Sequence, residues 1–132
     1  MTESQWQALA EAAMAACANA YCRYSAFPVG AAVLTAEGAI ASGCNVENAS
    51  FGLSVCAERN AIFHAVADGA KSIAALVVYT PTPAPLTPCG ACRQVIAEFG
   101  RDVRVRSICA GTGCVDYTLD ELLPHRFSLP PL

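Results

Sequence analysis

The sequence predicts an α/β fold, a central sheet covered by helices. Three observations predict it: strand and helix signals alternate along the chain, the amino-terminal segment carries a helical apolar face, and residues 73–79 form an apolar run of strand length.

Taken in order, residues 3–21 place Trp6, Leu9, Ala10, Ala13, Ala16 and Cys17 at three- and four-residue intervals, the spacing of one helix face. Residues 29–35 and 39–46 read as two strands of a hairpin turning at Glu37-Gly38, where glycine suits a tight turn. Good helix formers run over residues 56–68 and stop before Gly69. Residues 73–79 then form a buried strand. Pro81, Pro83, Pro85 and Pro88 exclude a regular element over residues 80–88, so this stretch is a loop that delivers Cys89 to its place. A helix follows to about Phe99 and ends at Gly100. Residues 103–108 alternate Val with Arg and Ser and predict a strand near an edge, with Arg104 and Arg106 on its solvated side. Gly111-Thr112-Gly113 is a turn, and Thr118-Leu119-Asp120-Glu121 has the form of a capping box. No internal repeat or low-complexity region interrupts the chain.

A length of 132 residues predicts one domain, 1–132. Hydrophobic residues make up 55% and charged residues 14%, a balance that implies surface covered by other subunits. With a net charge of −3 and eight Lys and Arg, the chain lacks the clustered cations of a nucleic-acid binder. A small neutral substrate fits this surface better. The opening segment has no basic region and is interrupted by Glu3 and Glu11, so no export signal is expected, and no apolar run is long enough to span a bilayer. The eight cysteines are therefore expected reduced, in a cytoplasmic protein, rather than paired in a secreted scaffold.

The chemistry lies in Cys56-Ala57-Glu58 and in Pro88-Cys89-Gly90-Ala91-Cys92. Three thiolates for one Zn²⁺ leave a coordination position open, as a catalytic zinc site does and a closed structural site does not. Cys89 and Cys92 stand i and i+3, so in the first turn of a helix both sulfurs point one way, and the positive end of the helix lowers thiol pKa. In mid-helix Cys56 and Glu58 would be roughly 200° apart, so they share a site only at a helix entrance. Three thiolates also leave the zinc site negatively charged. Arg59, three residues after Cys56, is placed to offset that charge by hydrogen bonds to sulfur. Asn45 and Glu47 are two apart on a predicted strand and project from one face, where an amide and a carboxylate suit sugar hydroxyls or form a plain polar pair beside a turn. Phe27 reads on pattern as core.

These motifs resemble a known family. Tyr24-Ser25-Ala26-Phe27-Pro28-Val29-Gly30, Asn45-Val46-Glu47-Asn48-Ala49, Cys56-Ala57-Glu58-Arg59-Asn60-Ala61, Pro88-Cys89-Gly90-Ala91-Cys92-Arg93-Gln94 and Glu121-Leu122-Leu123-Pro124 together resemble the small homotetrameric cytidine deaminases with Cys₃ zinc ligation, from about Tyr21 to Phe127. The resemblance implies a three-layer fold with a five-stranded mixed sheet, and a homotetramer with shared active sites. It implies one zinc per chain on Cys56, Cys89 and Cys92, with Glu58 as the catalytic proton carrier and Arg59 hydrogen-bonded to the ligand sulfurs. It implies that Asn45 and Glu47 bind the ribose, that Phe27 and the backbone of Ala57 contact the base, and that Phe127 reaches the base in another subunit's site. The implied reaction is hydrolytic deamination of cytidine and 2′-deoxycytidine to uridine and 2′-deoxyuridine in pyrimidine salvage.

Phe51 departs from the family, which often has Tyr there; the ring is kept and a hydroxyl lost. Two alternatives stand beside this reading. A deaminase of a cytosine-bearing antibiotic of the blasticidin S type shares the cysteine framework, but the Asn45-to-Asn48 motif argues against it. A non-catalytic zinc protein with a fourth ligand is argued against by Glu58. Cys17, Cys22, Cys44, Cys109 and Cys114 carry no motif and are expected to be small buried hydrophobes or incidental thiols. His64, expected on a core-facing helix, and His125 in the tail are expected to be structural.

Overall fold

A computed structural model of the chain describes residues 1–131. Its elements are α1 (Glu3–Cys17), β1 (Gly30–Thr35), β2 (Ile40–Cys44), a 3₁₀ turn at Phe51–Leu53, α2 (Ala57–Ala67), β3 (Ile73–Thr80), α3 (Gly90–Glu98), β4 (Arg104–Cys109), β5 (Cys114–Thr118) and α4 (Leu119–Leu122). Every residue of β1 is buried, because side chains alternate across a strand and both faces of this one are covered. Ala32 and Leu34 meet Trp6, Leu9 and Ala13 of α1, together with Ala75 and Val77 of β3. Ala31 and Val33 face the opposite way, into a larger core with Ala57, Ala61, Ile62 and Ala65 of α2 and Ile96 of α3. The sheet is thus the middle of three layers. Full burial of Ile62 and of Ile96 contributes roughly 1.5–3 kcal/mol each before the entropy of ordering them is counted.

The strand order is β2-β1-β3-β4-β5, a five-stranded mixed sheet as expected. Neighbours pair antiparallel except β3 and β4, which are parallel and joined through α3, since parallel neighbours need a crossover. The β1–β2 hairpin turns through Gly38 at φ 92°, a left-handed conformation that glycine adopts without a Cβ clash. On β2, a Cβ at Gly43 would stand 2.4 Å from the Ala61 nitrogen. The backbone of α2 therefore rests directly on that strand, which fixes where α2 begins.

Several expectations need correction. The first helix stops at Cys17, short of Tyr21, because the Tyr21 backbone pairs with Val46: its N–H donates to the Asn45 carbonyl at 3.0 Å and its carbonyl accepts from Glu47 at 2.8 Å. The second hairpin strand ends at Cys44, and Val46 continues only as isolated bridges to Tyr21 and Val55. His64 does not face the core. The buried stripe of α2 runs through Ala57, Glu58, Ala61, Ile62 and Ala65, which leaves His64 outside, bonded to the Ser42 carbonyl and 3.3 Å from Asp68. Arg104 is exposed, but Arg106 is folded back: its guanidinium lies 4.2 Å from the Trp6 ring centroid and pairs with Asp116 at 2.7 Å. Among the five cysteines without a motif, Cys17 is buried, Cys22, Cys44 and Cys109 are half-buried and Cys114 is exposed. Among the described residues no helix is long and apolar enough to cross a membrane.

Candidate active site

Cys56 is the N-cap of α2 and Cys89 the N-cap of α3, each with extended backbone. Neither sulfur caps the backbone N–H groups of its own helix, so both are available to a common ligand while standing at the positive ends of two helices. Cys92 follows in the first turn of α3 and is buried. The sulfurs of Cys56 and Cys89 lie 3.8 Å apart, and all three sulfurs fall within 4.8 Å of one another. Tetrahedral zinc with Zn–S bonds of about 2.3 Å needs sulfurs about 3.8 Å apart, and thiolates are ligands that zinc prefers. The cluster therefore fits a zinc ion in both spacing and donor chemistry. Among the described residues no other set of three Cys, His, Asp or Glu side chains is gathered this closely.

Charge at the cluster is managed locally. The Cys56 thiol is held down to about 5 by the neighbouring Cys92 thiol and by Arg59, whose Nη2 donates to the Cys56 sulfur at 3.5 Å. The Cys92 thiol moves the other way, pushed well above its ordinary value by the Cys56 contact and by burial. Glu58 is only 5% exposed, and burial raises its carboxyl above the usual range, with the nearby Cys56 adding to the effect. A carboxyl raised in this way is suited to taking a proton and giving it back.

A cavity of about 190 Å³ opens at this point. It is lined by Phe27, Asn45, Cys56, Ala57, Glu58 and Cys89, joined by Val29, Val78, Thr80, Leu86 and Thr87. The structure thus gathers Phe27, Asn45, Ala57 and Glu58 around two of the candidate ligands. Phe27 is no core residue: it stands 37% exposed. Leu86 and Thr87 carry no motif of their own, and the one signal for them in the sequence is their place directly before Pro88-Cys89.

Glu47 lines a neighbouring cavity of about 320 Å³ with Tyr24, Ser25, Phe51 and Ser54. Its carboxylate accepts from the Tyr24 and Ser25 backbone N–H groups at 3.0 and 3.1 Å and from the Ser25 hydroxyl. These bonds, the Ser25 hydroxyl foremost, hold the Glu47 carboxyl below its ordinary value. Asn45 grips the same loop, accepting from Val29 N–H and donating to the Phe27 carbonyl, each at 2.8 Å. The two side chains line different cavities, and both keep spare capacity, since a carboxylate offers about four acceptor sites and an amide two donors. Ala26 stands at φ 56°, left-handed for a residue with a Cβ, so the loop they hold carries backbone strain. Phe51 packs edge-on against Tyr24 with centroids 5.9 Å apart. Phe127 lines neither cavity; it is 70% exposed, with its carbonyl held by the Gln94 side chain at 3.1 Å.

A five-stranded mixed sheet with thiols at two helix starts and a buried carboxyl beside them defines a deaminase-type hydrolase. The model for the cytidine and deoxycytidylate deaminase zinc-binding region matches residues 3–108. The chain belongs to the cytidine deaminase family. It is 48% identical to the cytidine deaminase of Sporosarcina psychrophila over 83% of this chain and 82% of that one. It is 43% identical to the cytidine deaminase of Halalkalibacterium halodurans over 92% of this chain and 93% of that one. The crystal structure of cytidine deaminase from Burkholderia pseudomallei superposes with a TM-score of 0.88 at 45% identity, covering 96% of this chain and all of its counterpart (100%).

Proposed function

We propose that this chain, acting over 1–132 as one catalytic unit, hydrolyses cytidine and 2′-deoxycytidine to uridine and 2′-deoxyuridine with release of ammonia. The observation that carries the proposal is the buried Glu58 carboxyl sharing a cavity with Cys56 and Cys89. Cys56, Cys89 and Cys92 hold one zinc per chain, which when bound supplies Lewis acidity and an activated water. Glu58 accepts a proton from the attacking water, delivers it to N3 of the ring, and then carries a proton to the departing amine. Water enters at C4 and ammonia leaves, so the reaction balances without a further reactant. Arg59 offsets the negative charge of the thiolates. Phe27 and the Ala57 backbone position the base, and Asn45 and Glu47 hold ribose hydroxyls through the acceptor and donor capacity that the loop leaves open.

The active assembly in this proposal is a cytoplasmic homotetramer working in pyrimidine salvage, with Phe127 of one subunit closing the base pocket of another. Exposure of Phe51, Leu53, Phe63 and Phe127 supports burial by neighbouring subunits, as does the apolar composition.

A side-by-side spectrophotometric assay of cytidine, 2′-deoxycytidine, CMP and blasticidin S tests reaction and substrate together. Both nucleosides are expected to turn over, with activity abolished by a chelator and restored by zinc. Turnover of blasticidin S alone, or full activity in metal-free protein, overturns the proposal.

A further inference from the structure

The two cysteines that open helices are each bracketed in the same way by the residue four positions later. At Cys89, the Arg93 backbone N–H donates to the Cys89 carbonyl at 3.0 Å, while its side-chain Nε donates to the preceding Pro88 carbonyl at 2.8 Å. At Cys56, the Asn60 backbone N–H donates to the Cys56 carbonyl at 3.1 Å, and its Nδ2 makes a longer contact of 3.5 Å with the preceding Val55 carbonyl, which also accepts from the Val46 N–H at 3.0 Å. One residue therefore ties the carbonyls on both sides of each ligand sulfur's Cα. The first bond of each pair is ordinary helix geometry. The second is not, since a carbonyl ahead of an N-cap has no intrahelical partner.

Each side chain also reaches a third carbonyl in a different element. Arg93 Nη1 donates to Leu122 at the end of α4 at 2.9 Å, and Asn60 Nδ2 donates to Cys44 at the end of β2 at 2.8 Å. Pro88 is fully buried, so its carbonyl lies in a region where an unpaired acceptor is costly. Arg93 makes these two bonds to neutral carbonyls with a forked guanidinium, a geometry that the point-like ammonium of lysine does not reproduce. The helix starts are thereby braced against different elements, one against β2 of the sheet and one against α4.

We propose that Asn60 and Arg93 are paired positioning residues that set the separation of the Cys56 and Cys89 sulfurs, and through it the grip on the metal. The inference rests on the zinc reading of the three thiols and adds two residues to which that reading gives no part.

Zinc affinity measured by chelator competition tests it, alongside the visible spectrum of the cobalt(II)-loaded protein, which reports ligand geometry. Arg93→Ala and Asn60→Ala are each expected to weaken zinc by about 10- to 100-fold, the effect of losing a group that orients a ligand. Arg93→Lys keeps the charge but cannot span both carbonyls, and is expected to weaken zinc measurably and to alter the cobalt spectrum. Gln94→Ala, which frees only the Phe127 carbonyl, is expected to change neither. An Arg93 or Asn60 variant that is folded by circular dichroism yet retains wild-type zinc affinity and cobalt spectrum overturns the inference, and if Arg93→Ala does not fold, Arg93→Lys decides. Wild-type protein that binds no zinc overturns the zinc reading itself, and the inference with it.

Discussion

Arg59 lies one helical turn beyond Cys56 and points its guanidinium back at that sulfur, with Nη2 at 3.5 Å and Nε buried without a partner. The i, i+3 spacing on a helix makes the contact possible, and the N-cap position of Cys56 turns the sulfur into reach.

In metal-free protein, Arg59→Ala should raise the pKa of Cys56. The neighbouring Cys92 thiol and Arg59 both favour the thiolate, so removing the cation favours the thiol. Ultraviolet absorbance of the thiolate, followed against pH, checks this: the lowest-pH step should move upward, and an unmoved step refutes the coupling.

Glu58→Gln should fold and bind zinc normally while losing at least ~10²-fold in turnover, because the amide keeps the shape of the side chain but carries no proton. Zinc content and cytidine turnover measured on one preparation decide it. Near-normal turnover would end the role assigned to Glu58.

The Arg106–Asp116 pair, at 2.7 Å across β4 and β5, lowers the pKa of Asp116 through its hydrogen bond and charge. A carboxyl depressed by folding adds stability above its unfolded pKa, and that stability is lost as pH falls through the folded value. The Asp116 side chain is 41% exposed, so solvent screening limits the pair to roughly 0.2–1 kcal/mol. Denaturant unfolding of Asp116→Asn and wild type should therefore differ at neutral pH and converge below the ordinary carboxylate range. A difference that persists undiminished in acid contradicts the linkage.

Phe127 stacked on the substrate base of a neighbouring subunit would contribute roughly 1–3 kcal/mol, enough to raise KM clearly when the ring is lost. Mixed tetramers of Glu58→Gln and Phe127→Ala subunits should regain tight-binding active sites absent from either parent, since each supplies what the other lacks. Failure of subunit exchange to restore activity, or a monomeric active species in sedimentation, is incompatible with this arrangement.

What could be read from residues alone follows from how locally each feature is determined. Cys56 is expected at a helix entrance because helical geometry keeps it from converging with Glu58 anywhere else, and Cys89 because its i, i+3 spacing to Cys92 and the preceding Pro88 suit a first helical turn. The loop before Cys89 was legible from its prolines. By contrast, β5 is an edge strand whose residues are mostly exposed, so it has no buried face to impress an alternating pattern on Cys114–Thr118. The early end of α1 depends on Tyr21 pairing with a residue far along the chain, which propensity cannot register. For the same reason nothing in a strand-like Asn45-Val46-Glu47 discloses that both polar side chains are already engaged with the loop carrying Phe27. The partners of Asn60 and Arg93 are backbone carbonyls, and a carbonyl leaves no mark on sequence.

The contact between Gly43 and α2 has a consequence at the start of that helix. A position bearing no functional group and outside the cavity bears on whether the helix that starts at Cys56 sits where it does. Any side chain there must lift that helix from the sheet, and the damage appears first as lost chemistry at the helix start. A side chain at Gly43 thus reaches the chemistry through the backbone of α2 alone, and ranking positions by chemical reactivity would overlook it.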